Sequence, residues 1–214
     1  VVLHSQGYAK EAQTNYETAL SLDSTLVEAR AGLGTLLCRS ERQVEGLEHL
    51  EAVIRMDPDH HGALYNMAVA YHQVEDFKKA IEYFEVLLQI QVDYPGAKIN
   101  LARAYYSLGL LRLQAEQTGL AIAAFEKAVA YETDNSSMHF ARGLAYLEAE
   151  KFLDAEASFK RAVEIERDYI PALHNLGLVY ERQGRSEEAE AAYLKVQELA
   201  PHMSSIEAVK HTTY

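Results

Sequence analysis

The sequence is poor in the residues that support redox, metal or nucleic-acid chemistry. It contains one cysteine, Cys38, so neither an internal disulfide nor a thiolate metal site can form within the chain. Its 20 lysines and arginines are outnumbered by 32 aspartates and glutamates, which gives a net charge of −12. Because no basic stripe is available to bind a phosphate backbone, we expect no nucleic-acid partner.

Long hydrophobic runs and targeting signals are also missing. No segment approaches the roughly 18 consecutive apolar residues of a membrane-spanning helix, so we expect no membrane span. No secretory signal is visible, which favours a cytoplasmic protein. The chain begins with Val1 rather than methionine, in what reads as the remnant of a first helix, and we expect natural residues upstream of it.

Motifs for catalysis are absent from the sequence. It has no glycine-rich phosphate loop and no motif that pairs a nucleophile with a base. The densest group of metal-ligand residue types is Asp57-Pro58-Asp59-His60-His61, and a segment of this composition also suits a turn. We therefore predict no catalytic residue, no metal site and no cofactor.

A set of small and aromatic residues recurs every 34 positions. The matched pairs in the last two copies are Gly143 and Gly177, Tyr146 and Tyr180, Ala155 and Ala189, and Phe159 and Tyr193. A 34-residue period of this kind is typical of tandem helix–turn–helix units. We expect each small residue to lie where two helices approach closely, and each aromatic residue to fill the space beside it.

This period divides the chain into repeats. Residues 1–26 form a partial repeat, five full repeats follow, and residues 204–214 form a C-terminal capping helix. The full repeats cover residues 27–60, 61–94, 95–135, 136–169 and 170–203. The third is seven residues longer than the others, which is about two helical turns, so we expect a lengthened hairpin there. All four prolines fall at junctions between repeats, and we predict one all-α domain over residues 1–214.

The repeats resemble the tetratricopeptide repeat (TPR) family over essentially the whole chain. The fifth repeat carries the family pattern most fully, in Asn175, Leu176, Gly177, Tyr180, Gly184, Glu188, Ala189, Tyr193 and Pro201. Position 4, often tryptophan in the family, holds other residues here, and position 32 is proline in only two full repeats. The resemblance implies a right-handed α-solenoid whose inner wall, lined by the first helix of every repeat, usually binds a peptide or helix from another protein.

The resemblance also implies which residues face the inner wall, at positions 2, 5, 6, 9, 12 and 13 of each repeat. The peptide-binding residues predicted in this way are Tyr65, Asn66, Val69, Ile99, Asn100, Arg103, Tyr106, Phe140, Leu144, His174, Asn175 and Leu178. Their apolar members would form a nearly continuous strip on an exposed wall, which generally marks an interaction site. The alternative is that the adjacent repeat partly covers positions 5 and 9. Cys38, at position 12, is expected to line the groove rather than to act as a nucleophile.

Asparagine occupies position 6 in three repeats, as Asn66, Asn100 and Asn175. Its amide can donate to and accept from the backbone of an extended peptide. This is similar to the asparagine ladder of O-linked N-acetylglucosamine transferases, although Gly32 and Ala141 interrupt it here. Asparagine is also simply common at this position, so the alternative is that it has no peptide-reading role.

The resemblance disfavours one class of partner. Chaperone-binding members hold a C-terminal carboxylate with lysine at position 5 and asparagine at position 9 of one repeat. The corresponding pairs here are Ala31 and Thr35, Tyr65 and Val69, and Ile99 and Arg103. We therefore expect no carboxylate clamp of the chaperone-binding type.

Together these features favour a non-catalytic adaptor that binds a peptide or helix of a partner protein in its concave groove. Two alternatives stay open: the substrate-recruiting arm of a larger multidomain enzyme such as a glycosyltransferase, or a homo-oligomerisation module. Acidic runs on the second helices, such as Glu45, Glu48 and Glu51, indicate a solvated outer face, with attraction of a basic partner as the other interpretation.

Overall fold

The computed structural model describes the backbone of residues 2–40 and 42–201 and the side chains of residues 8–40 and 42–201. Eleven α-helices and no strand are found in these ranges. The helices are α1 (Val2–Leu22), α2 (Val27–Cys38), α3 (Gln43–Met56), α4 (His61–Gln73), α5 (Phe77–Ile90), α6 (Ala97–Gln114), α7 (Thr118–Tyr131), α8 (Ser136–Glu148), α9 (Phe152–Ile165), α10 (Ile170–Arg182) and α11 (Ser186–Leu199). The capping helix expected for residues 204–214 lies outside the described residues.

Contacts divide the helices into two compact units, residues 1–104 and 105–214, and the division falls inside α6. In the first unit α2 packs against α3 and α4 against α5, so each pair forms a hairpin. The second unit holds the hairpins α8–α9 and α10–α11. Hairpins stack within each unit, since α3 packs on α4 and α9 packs on α10. The single domain expected from the sequence stays a prediction.

Side-chain caps explain where two of the helices begin. Asp76 accepts a hydrogen bond from the backbone N–H of Lys79 at 3.2 Å, and Asn135 accepts one from that of Met138 at 3.1 Å. Each cap satisfies an N–H group that the first turn of a helix leaves unpaired. The starts of α5 and α8 are therefore set by local sequence as well as by packing.

The turn inside four of the hairpins uses one residue with a positive φ. These residues are Glu75 (61°), Glu116 (57°), Glu150 (57°) and Gly184 (74°). Glycine adopts this conformation without steric cost, whereas glutamate is strained in it. Because the same turn forms with either residue, the packing of the paired helices, rather than the turn residue, determines the hairpin.

The hairpins α8–α9 and α10–α11 each close on a glycine that faces an aromatic ring. A Cβ at Gly143 would lie 2.5 Å from the ring of Phe159, and one at Gly177 would lie 2.4 Å from the ring of Tyr193. The Phe159 side chain is fully buried, so its ring has little room to move away. The paired helices can approach this closely because the position carries no side chain.

In the third repeat a different residue makes this contact. α6 has 18 residues, against 13 in α4, α8 and α10, and the segment before it, residues 91–96, is two residues longer than its counterparts. The seven extra residues thus lengthen α6 and the loop that leads into it. A Cβ at Gly109 would lie 2.6 Å from the ring of Phe125. Ala102 stands at position 8 of the third repeat, the position of Gly143 and Gly177, so the repeat period predicts the close contact there. Gly109, seven residues beyond Ala102, takes that place instead.

A buried carboxylate joins α9 to the turn between α10 and α11. Glu156 is 8% exposed and accepts hydrogen bonds from Lys160 Nζ at 2.6 Å and from Arg185 Nη1 at 2.7 Å. Gln183 Nε2 donates a third hydrogen bond, at 3.2 Å. Burial alone would raise the pKa of Glu156, but these three donors hold it below its ordinary value. The carboxylate is therefore ionised at neutral pH and ties the turn to α9.

Gly143→Ala is expected to destabilise the protein. The added methyl group overlaps the Phe159 ring, and overpacking of this kind costs about 1–3 kcal/mol, partly offset by a gain of about 1 kcal/mol in helix propensity. Urea unfolding followed by circular dichroism measures the net loss. Gly119→Ala is the matched control, because a Cβ there meets nothing within 4 Å and the change should be neutral or stabilising. Equal unfolding midpoints for the two variants would contradict this prediction.

Glu156→Gln is expected to lower the free energy of unfolding by about 1.5–3 kcal/mol at pH 7, because charge-assisted hydrogen bonds become neutral ones. The folded-state pKa lies below the ordinary value of 4.5, so this contribution is present above pH 4.5 and is lost as the pH falls through the folded-state pKa. The difference from wild type, measured by urea unfolding at several pH values, should therefore shrink in acid.

Glu164→Gln serves as the control for this experiment. Glu164 is an exposed carboxylate 3.2 Å from Arg161, and its loss should cost less than about 1 kcal/mol. Equal losses in the two variants, or a Glu156→Gln effect that does not change with pH, would show that the buried ion pair does not stabilise the fold.

Candidate functional site

The first unit contains a pocket of about 430 Å³ bordered by residues of α4, α5 and α6 and by the C-cap residue that follows α2. Its lining residues are Arg39, Tyr65, Asn66, Val69, His72, Gln73, Phe84, Asn100 and Arg103. Five of these are among the twelve predicted binding residues, namely Tyr65, Asn66, Val69, Asn100 and Arg103. Residues from the second and third repeats are thus brought together around one space.

Tyr65 is held in this pocket through both its ring and its hydroxyl group. Its ring centroid lies 5.8 Å from that of Phe84 and 5.2 Å from that of Tyr94. Asn100 Nδ2 donates a hydrogen bond to the Tyr65 hydroxyl at 2.7 Å. The hydroxyl keeps its own hydrogen, and Asn100 keeps one amide hydrogen and its carbonyl oxygen, so these groups are available to a ligand.

Asn66 is oriented by Thr35, which lies one repeat earlier. The Thr35 hydroxyl donates to the Ala31 carbonyl at 2.8 Å, so its oxygen accepts the hydrogen bond from Asn66 Nδ2 at 2.9 Å. Asn66 retains its carbonyl oxygen and one amide hydrogen. Asn66 and Asn100 therefore each present the donor and the acceptor that an extended peptide backbone requires.

A larger cleft of about 910 Å³ lies between α1 and α2 and meets the pocket at Arg39. Its lining residues are Tyr8, Ala9, Lys10, Ala12, Gln13, Tyr16, Gly32, Thr35, Leu36, Arg39 and Ser40. Thr35, which orients Asn66, belongs to this cleft. We term the pocket and the cleft together the first-unit groove.

The charge of the first-unit groove is positive. Its charged lining residues are Lys10, Arg39 and Arg103, and no aspartate or glutamate of the described residues lines it. All three side chains are exposed, and none has a hydrogen-bonding or ion-pair partner within residues 8–40 and 42–201. His72 is mainly uncharged at pH 7, because burial lowers its pKa from the ordinary value of 6.5 despite an opposing hydrogen bond to the Arg103 backbone.

The second unit has its own pocket of about 410 Å³, formed by α8, α10 and the start of α9. Leu144 and Leu178, both predicted binding residues, line it. The other lining residues are Leu147, Glu148, Glu150, Phe152 and Arg182. This pocket is therefore apolar with charges of both signs, unlike the first-unit groove.

Five predicted residues line none of these cavities, and three of them keep part of their surface exposed. Ile99 is exposed but does not line the pocket beside its neighbour Asn100. Tyr106 and His174 are partly buried, with ring centroids 5.8 Å from that of Phe125 and 5.6 Å from that of Tyr193, respectively. Their rings contribute to packing within the second unit, and their role in binding stays a prediction.

Phe140 and Asn175 are buried, contrary to the expectation that they face solvent. Phe140 is 9% exposed, and its ring centroid lies 5.7 Å from that of Phe159 and 5.4 Å from that of Tyr169. Asn175 is 5% exposed and donates a hydrogen bond to the Pro171 carbonyl at 2.8 Å. Phe140 is thus a core residue, and the Asn175 amide bonds to its own helix rather than facing a groove.

Four residues of the 430 Å³ pocket were not among those predicted to bind. These are Arg39, His72, Gln73 and Phe84. The first three occupy positions 12 and 13, which the repeat register already assigns to the inner wall, so the register could have found them. Phe84 stands at the repeat position of Phe159 and Tyr193, where an aromatic residue is expected to pack inside the hairpin, and it serves both the core and the pocket. The cleft residues on α1 lie in the partial repeat, for which no inner-wall positions were assigned.

Cys38 is a core residue, so the expectation that it lines the groove is wrong. It is 4% exposed, and burial raises the pKa of its thiol to about 11. The thiol is therefore protonated at neutral pH, and a protonated, buried thiol is unreactive.

Neither a metal-binding cluster nor a membrane-spanning helix occurs in the part of the chain that the structure describes. No three His, Cys, Asp or Glu side chains come close enough there to hold a metal ion. No helix there is long and apolar enough to cross a membrane. In the turn singled out from the sequence, His60 Nδ1 accepts a hydrogen bond from the Ala63 N–H at 3.0 Å and so caps α4.

Three models of the tetratricopeptide repeat match the chain, over residues 59–131, 106–170 and 170–203. The chain therefore belongs to the tetratricopeptide repeat family, as the resemblance of its repeats predicted. No curated protein has a sequence that matches the chain significantly.

Solved structures of similar fold include YrrB and MamA. YrrB, described as a TPR protein with an unusual peptide-binding site, is 19% identical with a TM-score of 0.61, over 92% of this chain and 96% of YrrB. MamA AMB-1 is 23% identical with a TM-score of 0.60, over 87% and 98% of the two chains. MamA from Desulfovibrio magneticus RS-1 is 22% identical with a TM-score of 0.54, over 84% and 97%. These likenesses confirm the predicted all-α fold of the solenoid class.

The Cys38 thiol is expected to react slowly with a disulfide reagent such as DTNB in the native protein. The rise of its pKa from an ordinary value of 9.0 to about 11 lowers the thiolate fraction roughly a hundredfold near pH 8, and burial blocks access as well. Absorbance at the thionitrobenzoate band follows the reaction. The same protein in concentrated urea is the control and should react fast; equal rates in the two conditions would contradict the buried position.

Proposed function

We propose that this chain is a non-catalytic adaptor that binds a segment of a partner protein in its groove. The observation that carries the proposal is the pocket in which Tyr65, Asn66 and Asn100 present free hydrogen-bonding groups beside the apolar side chains of Val69 and Phe84. Membership of the TPR family supports a protein-interaction scaffold, and YrrB, which shares the fold, has a peptide-binding site. The cytoplasmic location expected from the sequence is part of this proposal.

The hydrogen-bonding groups of the pocket favour an extended peptide over a helix. In a helix most backbone N–H and C=O groups are already paired within the segment. An extended segment leaves these groups free, so it can bond to the amides of Asn66 and Asn100. Such contacts do not depend on the partner's side chains, and they give affinity together with a fixed orientation.

Apolar surface in both units supplies the second part of the proposed affinity. Val69 and Phe84 border the first pocket, and Leu144, Leu147 and Leu178 border that of the second unit. Full burial of one leucine-sized side chain contributes about 1.5–3 kcal/mol. A segment that places one apolar side chain in a pocket would therefore offset part of the entropy that it loses when its backbone is ordered.

The proposal is tested by selecting binders from a library of random dodecapeptides displayed on phage, and by measuring a synthetic selected peptide with fluorescence anisotropy. The double variant Asn66→Ala with Asn100→Ala is expected to weaken binding about five- to 150-fold, because two peptide hydrogen bonds of about 0.5–1.5 kcal/mol each are lost. Asn15→Ala is the matched control, since Asn15 is an exposed asparagine on α1 that lines neither cavity.

Circular dichroism and urea unfolding must show that the double variant keeps its fold. The proposal fails if no peptide is enriched, or if the double variant binds the selected peptide as tightly as wild type. Light scattering measures the molar mass of the protein over a range of concentrations in parallel. A mass that rises with concentration would favour the homo-oligomerisation module instead.

A further inference from the structure

We infer that the first-unit groove binds an acidic partner, namely an extended peptide whose aspartate or glutamate carboxylates are held by Lys10, Arg39 and Arg103. The inference rests on the proposed function and specifies the chemistry of the partner at that same groove. It concerns only the first unit.

Acidic residues dominate the chain, but none of the described residues that line this groove is acidic. Aspartate and glutamate make up 32 of the 214 residues, so about three would be expected among the nineteen residues that line the pocket and the cleft. The described lining residues include none, and three of them are cationic. The groove is therefore a positive region on a strongly negative protein.

Among the residues that the structure describes, no carboxylate neutralises the three cations. Lys10 lies on α1, Arg39 is the C-cap residue that follows α2, and Arg103 lies on α6, so three separate elements bring positive charge to the same groove. None of them bonds to a carboxylate within the described ranges, whereas Arg42, Arg161 and Arg185 each do. Arginine presents a planar set of donors that matches a carboxylate, and such charge-assisted bonds are stronger than neutral ones.

The neutral groups of the groove suit the same ligand. The free amide hydrogens of Asn66 and Asn100 lie in the pocket that Arg39 and Arg103 also line, so a peptide can be bound there through its backbone and through a carboxylate together. Positive charge is not a general property of the molecule's cavities. The second-unit pocket contains Glu148 and Glu150 beside a single arginine, Arg182.

The arrangement differs from the chaperone-type clamp that the sequence disfavours. Arg39 stands at position 13 of one repeat and Arg103 at position 9 of another, whereas the clamp places lysine at position 5. A nucleic acid is a poorer match than a peptide, because its phosphates extend beyond the groove over the acidic remainder of the chain. Side-chain carboxylates of a peptide need to meet only the groove itself.

The first experiment determines the amino-acid composition of the peptides selected from the phage library in 0.15 M salt. Each displayed dodecapeptide is joined to the coat protein at its C-terminus, so the carboxylates it offers are those of side chains. Aspartate and glutamate should be enriched over lysine and arginine among peptides bound by the wild-type chain. Enriched peptides without an excess of acidic residues would overturn this inference and leave the proposed function standing, whereas no enrichment at all would overturn both.

The second experiment measures a selected peptide, synthesised with an amidated C-terminus, by fluorescence anisotropy. Arg103→Glu should weaken its binding at least about tenfold. Arg39→Gln, which removes a charge at the helix end without adding a negative one, should weaken it in the same direction. Arg167→Glu is the matched control, because Arg167 is exposed in a turn of the second unit and lines neither groove cavity, and it should change affinity less than about twofold.

Changes in the peptide complete this test. Replacing its acidic residues with glutamine should weaken binding to wild type and abolish the difference between wild type and Arg103→Glu. A peptide in which lysine replaces the acidic residues should bind Arg103→Glu more tightly than it binds wild type. The assignment would be overturned if the acidic and glutamine peptides bound equally. It would also be overturned if a glutamine peptide bound tightly through a free C-terminal carboxylate, or if a single-stranded oligonucleotide bound comparably.

Discussion

The close approach of two helices over a residue that has no side chain is the constraint on which the structure depends. Where Gly143 meets Phe159, a ring fills the space that a side chain would occupy, and the hairpin closes on that face. Two residues turn a helix by about 200°, so Asn66, two places before the small residue Ala68, points away from the second helix. Nine residues separate Asn100 from Gly109 and turn the helix by about 900°, which again leaves the asparagine on the opposite face. The packing that closes each hairpin thereby directs the asparagine side chains of α4 and α6 away from it.

The fold could be predicted because that packing recurs with a fixed period, so small and aromatic residues reveal the hairpins directly in the sequence. The third repeat shows where this inference stops. Ala102 keeps its place relative to the preceding repeats, but Gly109 is the residue that meets Phe125. An insertion of seven residues turns a helix through nearly two full turns, so both residues occupy the same face and the period alone cannot distinguish them.

The candidate site was predicted only in part, because the hydrogen-bond partner of each asparagine at position 6 depends on the residues one repeat earlier. Asn66 donates a hydrogen bond to the Thr35 hydroxyl, and Asn100 donates one to the Tyr65 hydroxyl. Thr35 stands at position 9, and Tyr65 at position 5, of the preceding repeat. Asn175 has Phe140 and Leu144 at those positions, and neither accepts a hydrogen bond. Its amide turns back to the carbonyl of Pro171 instead, as a buried amide must be paired. Equal positions in the repeat therefore do not give equal roles.

The positions of individual charges matter more to the groove than the net charge of −12. At physiological ionic strength the Debye length is about 8 Å, so charges farther away are largely screened and the nearby side chains set the potential that a bound peptide meets. Among the described residues that line the groove, the charged side chains are Lys10, Arg39 and Arg103. The distant carboxylates still repel acidic molecules weakly during encounter, which penalises any acidic peptide that lacks the backbone contacts of Asn66 and Asn100. Net charge and local charge of opposite sign can thus act together to give selectivity.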